Sequence, residues 1–145
     1  MPHKHTNTGN CIKCREIMYR YTPMNETLAC WFFTLQEKHP EAHVSCAGRG
    51  RADQQAAKAR GSSRASWGSS AHNYGQAIDL FVNKDGKNIY DKEWFDSVVG
   101  LAVEGRKDLS WYGRPGSRFY ELPHVEIHGW RKLPNLQLVE SRNDA

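Results

Sequence analysis

The stretch SSAHNYGQAIDLF, residues 69–81, decides how this chain is read. Its second half alternates in polarity and is rich in β-forming side chains, which predicts a strand over QAIDLFV. Successive side chains on a strand point to opposite faces, so Ala77, Asp79 and Phe81 share one face and Ile78, Leu80 and Val82 the other. An ionised carboxylate among apolar neighbours is costly unless it is paired or bound to a cation. His72 precedes the strand, in a loop that Gly75 can fold back toward Asp79.

A partner for Asp79 lies near the other end of the chain. HVEIHGW, residues 124–130, reads as a final strand with His124, Glu126 and His128 on one face and Val125 and Ile127 on the opposite one. If the two strands are neighbours, Asp79 faces a histidine. Two histidines and one carboxylate form a common catalytic zinc set that leaves a fourth position open for water. Taken singly, each residue has a plainer explanation, since loop histidines are usually solvated and perturbed acids are often purely structural. The combination is what points to a metal.

The rest of the chain supplies a frame. NETLACWFFTLQEKHP predicts a helix with Asn25 as N-cap, stopped by Pro40. AHVSCAG is a short strand, and RADQQAAKARG a short helix closed by Gly61. A Ser/Gly loop leads into the metal-like stretch. Asp85-Gly86 signals a hairpin turn. Asp91 caps a helix from about Lys92 to Glu104, with Trp94, Phe95, Val98, Leu101 and Ala102 as its buried face. DLSWYG is a strand and RPGSRFY a loop. These elements predict a single α+β domain whose helices pack on a small, mostly antiparallel sheet. Residues 1–24 read as an N-terminal extension, 25–130 as the domain and 131–145 as a C-terminal tail.

At 145 residues the chain is long enough for a real core. No run is long enough to cross a bilayer, and the N-terminus lacks the apolar core of a signal peptide. The formal charge of +4 favours an anionic partner. Its basic residues are not interleaved with aromatics, which argues against a nucleic-acid reader. Cys11 and Cys14 form a C-x-x-C. With His3 and His5 they would make a structural zinc site, but the plainer expectation is free thiols throughout, with Cys30 and Cys46 packed as small apolar residues.

SAHNYGQAID, residues 70–79, matches S-x-H-x-x-G-x-A-x-D in full. That pattern resembles the zinc peptidases that include D-Ala-D-Ala carboxypeptidases, D,D-dipeptidases and phage L-alanyl-D-glutamate endopeptidases, which share a fold with hedgehog-type domains. The family's second signature, an acid, two residues, then His-x-Glu, is matched by ELPHVE, residues 121–126. Trp111-Tyr112-Gly113 is an imperfect version of a Trp-Gly segment before that acid, and Arg49, Gln54 and Gly61 fit the upstream arrangement. The resemblance covers about residues 25–130.

It implies His72, Asp79 and His124 as zinc ligands, Glu121 as the catalytic acid and base, and Arg49 as the group that stabilises the oxyanion. Ser70 would hydrogen-bond within the metal loop, and Glu126 would orient a ligand histidine. His124 is preferred over His128 because only His124 sits three residues after an acid, and a side chain about 6.6 Å further along a strand would miss the same metal. Arg49 is preferred over Arg51 for its spacing to Gln54. Trp67 and Tyr74 line the substrate groove or else pack within their loop.

The expected function is a monomeric, phage endolysin-like peptidase that hydrolyses the L-Ala-D-Glu bond of peptidoglycan stem peptides. Made in the host cytoplasm without a signal peptide, it would reach the wall through a holin-type pore, with no membrane insertion. A D-Ala-D-Ala carboxypeptidase and a non-catalytic zinc-binding module of the same fold are the alternatives.

Overall fold

The computed structural model describes residues 24–113 and 121–139. The expectations for the C-x-x-C and most of the N-terminal extension, and for the loop RPGSRFY, lie outside these residues. Helix α1, Glu26–Lys38, starts where predicted: the Asn25 side chain accepts from Thr27 N at 2.8 Å. It buries Leu28, Trp31, Phe32 and Leu35 against the sheet. Met24, which the sequence placed in the extension, is buried in the same core.

Five strands follow: β1 (Ala42–Cys46), β2 (Ala77–Lys84), β3 (Lys87–Ile89), β4 (Leu109–Trp111) and β5 (His124–Ile127). The sheet order is β1-β2-β5-β4, with β3 hairpinned onto β2, and every pairing is antiparallel. The α+β class and the antiparallel sheet are therefore as expected. β2 is central because its Ile78, Leu80 and Val82 face is fully buried, so it stabilises the fold from the middle of the sheet. Asp85 and Gly86 both take positive φ in the β2–β3 turn, the conformation that an Asp-Gly hairpin requires.

Helix α2 spans Arg51–Ala59. The predicted third helix, α3, runs as Lys92–Trp94, a π-helical turn Phe95–Val99 and Gly100–Val103. The π turn widens one repeat and shifts the phase of all that follows. Trp94 and Phe95 are buried as expected and Val98 and Ala102 partly so, but Val99 and Gly100 are buried as well and Leu101 is 67 % exposed. Trp31 Nε1 donates to Ala102 O at 3.0 Å, tying α1 to α3.

Cys30 is buried as expected but is disulfide-bonded rather than a free thiol. Past β5, a 3₁₀ turn at Trp130–Lys132 leads into a segment that packs back on the domain. Val139 is buried there, and its N–H donates to Asn73 O at 2.7 Å. No helix of the described residues is long and apolar enough to cross a membrane.

Candidate metal centre

The register between β2 and β5 places Asp79 directly opposite His124. Across from β1, Asp79 pairs with Cys46. His72 arrives from outside the sheet, on the 3₁₀ turn Ala71–Tyr74. That turn is built from its own sequence. Ser70 caps it by accepting from His72 N at 3.3 Å, Asn73 Oδ1 accepts from Ser70 N at 3.1 Å, and Gly75 ends it at φ 68°. A left-handed residue there costs glycine little, which is why the chain can reverse into β2 so soon after the histidine.

The two histidines present opposite nitrogens to one oxygen. His72 Nδ1 donates to Ala47 O at 2.7 Å, which leaves Nε2 facing Asp79 Oδ1 at 3.2 Å. His124 Nε2 lies 2.8 Å from Glu126 Oε1, which leaves Nδ1 facing the same Asp79 Oδ1 at 3.1 Å. Backbone and carboxylate partners on the far nitrogen are how ligand histidines are usually oriented. His72 Nε2 is buried yet has no aligned hydrogen-bond partner. A buried polar atom left so is costly, and a cation would satisfy it. A tetrahedral zinc with bonds of about 2.0–2.1 Å keeps its ligand atoms about 3.3 Å apart, close to the two spacings found here. The group whose ligand atoms all come within reach of one ion is Cys46, His72 and Asp79, with His124 Nδ1 3.1 Å from Asp79 Oδ1, so these residues could hold a metal.

Charge in the cluster is tightly coupled. Burial alone would lower the His72 pKa, but the Asp79 carboxylate beside it raises it to about 10. Burial also opposes protonation of His124, and its bonds to Asp79 and Glu126 outweigh that, raising it to about 9. For Asp79, burial disfavours the charge, yet the two histidines hold its carboxyl far below the usual range. Without a metal, the protonated histidines are the cations that compensate the buried carboxylate.

Glu121 and Arg49 flank this cluster on different sides. Glu121 Oε2 is 3.7 Å from His124 Nδ1, and its side chain is 58 % exposed. Two contacts hold its segment: Glu121 N donates to Tyr112 O at 3.1 Å, and Trp111 Nε1 to Leu122 O at 2.8 Å. Arg49 Nη2 is 3.8 Å from Asp79 Oδ2, and its Nη1 donates to Gln54 Oε1 at 3.0 Å. Gln54 is fully buried and also accepts from Asn73 Nδ2 at 3.1 Å. Arg51 instead begins α2 as an exposed residue.

His128 lies beyond the end of β5, where its Nδ1 bonds Ser110 Oγ at 2.8 Å, away from Asp79. Tyr74 packs within its own surroundings: its hydroxyl donates to Gly68 O at 2.8 Å and its ring lies 5.4 Å from that of Trp130. Trp67 is half-buried in the Ser/Gly loop.

Cys46 is the residue that sequence reasoning missed. Among the described residues, Cys46, His72 and Asp79 are the group whose metal-binding atoms all lie within 4.8 Å of one another, and His124 joins through Asp79. Cys46 is half-buried rather than a core thiol, and its sulfur accepts from Arg49 Nη2 at 3.4 Å.

No protein-family model and no curated protein matches the chain. Among solved structures, the crystal structure of Serratia marcescens L-Ala D-Glu endopeptidase ChiX is similar, with a TM-score of 0.59. The match covers 83 % of this chain and 90 % of that one at 19 % identity, a likeness of fold.

Proposed function

We propose that the protein is a zinc-dependent peptidoglycan peptidase that hydrolyses the L-Ala-D-Glu bond of stem peptides. The observation that carries this is the convergence of His72 Nε2 and His124 Nδ1 on Asp79 Oδ1, with Glu121 and Arg49 beside it. His72, Asp79 and His124 would hold the ion. Bound zinc supplies a Lewis acid and brings the pKa of water to about 7.

The chain's own groups handle the proton and the developing charge. Glu121, open to solvent at the rim, takes the proton from the attacking water and delivers it to the nitrogen of the departing amine. Arg49, fixed by Gln54, stabilises negative charge on the scissile carbonyl oxygen. Glu126 keeps the His124 ring in the orientation that offers Nδ1. The similarity to an L-Ala D-Glu endopeptidase makes that bond the first to test, while the fold itself also serves the D-Ala-D-Ala carboxypeptidase alternative. A purely binding module has no use for an exposed acid and a guanidinium at its metal, so their presence favours an enzyme.

The test is mass spectrometry of purified peptidoglycan after digestion, with and without chelator. New N-terminal D-glutamate, lost with chelator and restored by zinc, is the expected result. Released D-alanine would reassign the activity to a carboxypeptidase. No cleavage by folded, zinc-loaded protein would leave the binding module.

A further inference from the structure

The pairing of β1 with β2 slips at one point. Val44 pairs with Leu80, and the next pairing on β1 is Cys46 with Asp79, so Ser45 is the extra residue of a β-bulge. Without the bulge Ser45 would face Asp79 and Cys46 would sit opposite Ile78. Residues paired across an antiparallel ladder share a face, so the slip turns the Cys46 thiol from the core side to the side that carries Asp79. The result is a row across three strands, Cys46, Asp79 and His124, with His72 beside it.

We infer that Cys46 is a further protein donor to the cation held at His72 and Asp79. This rests on the metal reading above and adds a ligand to it. Two independent observations support it besides the bulge. The sulfur lies within 4.8 Å of a ligand atom of each residue and 3.8 Å from His72 Nδ1, and on the same ring the buried Nε2, 3.2 Å from Asp79 Oδ1, lacks an aligned hydrogen bond. A thiolate is a strong, soft ligand for zinc. When the sulfur bonds the ion, the thiol proton leaves to solvent. Arg49 Nη2, 3.4 Å from the sulfur and 3.8 Å from Asp79 Oδ2, faces both anionic donors and offsets their charge.

Cobalt(II) in place of zinc reads this directly, because a cobalt–thiolate bond gives a near-ultraviolet charge-transfer band that histidine and carboxylate ligands do not. The full chain loaded with one equivalent of cobalt is expected to show the band. Cys46→Ser should retain the cobalt and lose the band, and Cys46→Ala serves in its place if the serine variant does not fold. Cobalt bound in a His72-dependent way but without the band overturns the role of Cys46 and leaves the metal site standing. A band that survives in the Cys46 variants comes from other cysteines and overturns it equally. Failure to bind cobalt at all would remove both this inference and the metal reading beneath it.

Discussion

Glu121 sits close to the proposed metal yet belongs to none of its buried contacts. Its carboxylate is mostly in water, 3.7 Å from His124 Nδ1. Removing it should leave the cluster intact. Glu121→Ala is expected to keep its zinc and its circular dichroism while hydrolysis falls by about 10²–10⁴-fold, the usual contribution of a positioned acid–base group. Full activity in that variant would refute the mechanism. The two histidines of HVEIH separate in the same way. His124→Ala should lose most of its zinc, measured by elemental analysis, and His128→Ala should retain it, because His128 bonds Ser110 rather than facing Asp79. The pairing of Asp79 with His124 was legible in the sequence because strand alternation is a strict period of two, which put the two on common faces once the strands were paired. Cys46 was not legible. One extra residue in a ladder reverses which face a side chain occupies, and nothing in AHVSCAG announces a bulge.

Elements carry the next layer. Gly113 follows Tyr112, whose carbonyl holds Glu121 N, and a Cβ there would overlap the Trp111 ring. Trp111 cannot yield freely, since its Nε1 holds Leu122 O. Gly113→Ala is therefore expected to cost about 1–3 kcal/mol in urea unfolding and to lower kcat more than zinc content, because it displaces the acid and not the ligands. An unchanged kcat would sever Trp111 from the site. In α3, Val99→Ala should destabilise by about 1–2 kcal/mol, whereas Leu101→Lys should stay within about 0.5 kcal/mol. Helical periodicity alone predicts the reverse importance for Leu101. Caps and turns were readable here, from Asn25 to Asp85-Gly86, because each is decided by local chemistry. The π turn was not, because an i to i+5 repeat is fixed by how Trp94, Phe95 and Val99 settle into the core.

For the whole molecule, metal and protons compete for the same buried charge. In the metal-free protein His72 and His124 have pKa values raised to about 10 and about 9. Raised values mean that their contribution to stability is fully present below the ordinary histidine pKa of about 6.5. It is lost as pH climbs through 9 to 10. The depressed Asp79 acts oppositely: its contribution is present above the usual carboxylate range and is lost as pH falls through and below it. Chelated protein should thus be most stable between about pH 4 and 6.5 as far as this cluster is concerned, and Tm should decline on the alkaline side. Zinc requires both histidines neutral, so its binding expels their protons and strengthens as pH rises. At a free zinc concentration of about 100 times Kd, binding adds about 2.7 kcal/mol, which for a domain of this size moves Tm by about 5–10 °C. The expected pattern in differential scanning calorimetry is therefore a gap between zinc-loaded and chelated protein that is small at pH 5.5 and widens toward pH 8.5. His72→Ala should close the gap at every pH. A gap that is independent of pH, or one that survives in His72→Ala, would place the stabilising ion elsewhere on the molecule.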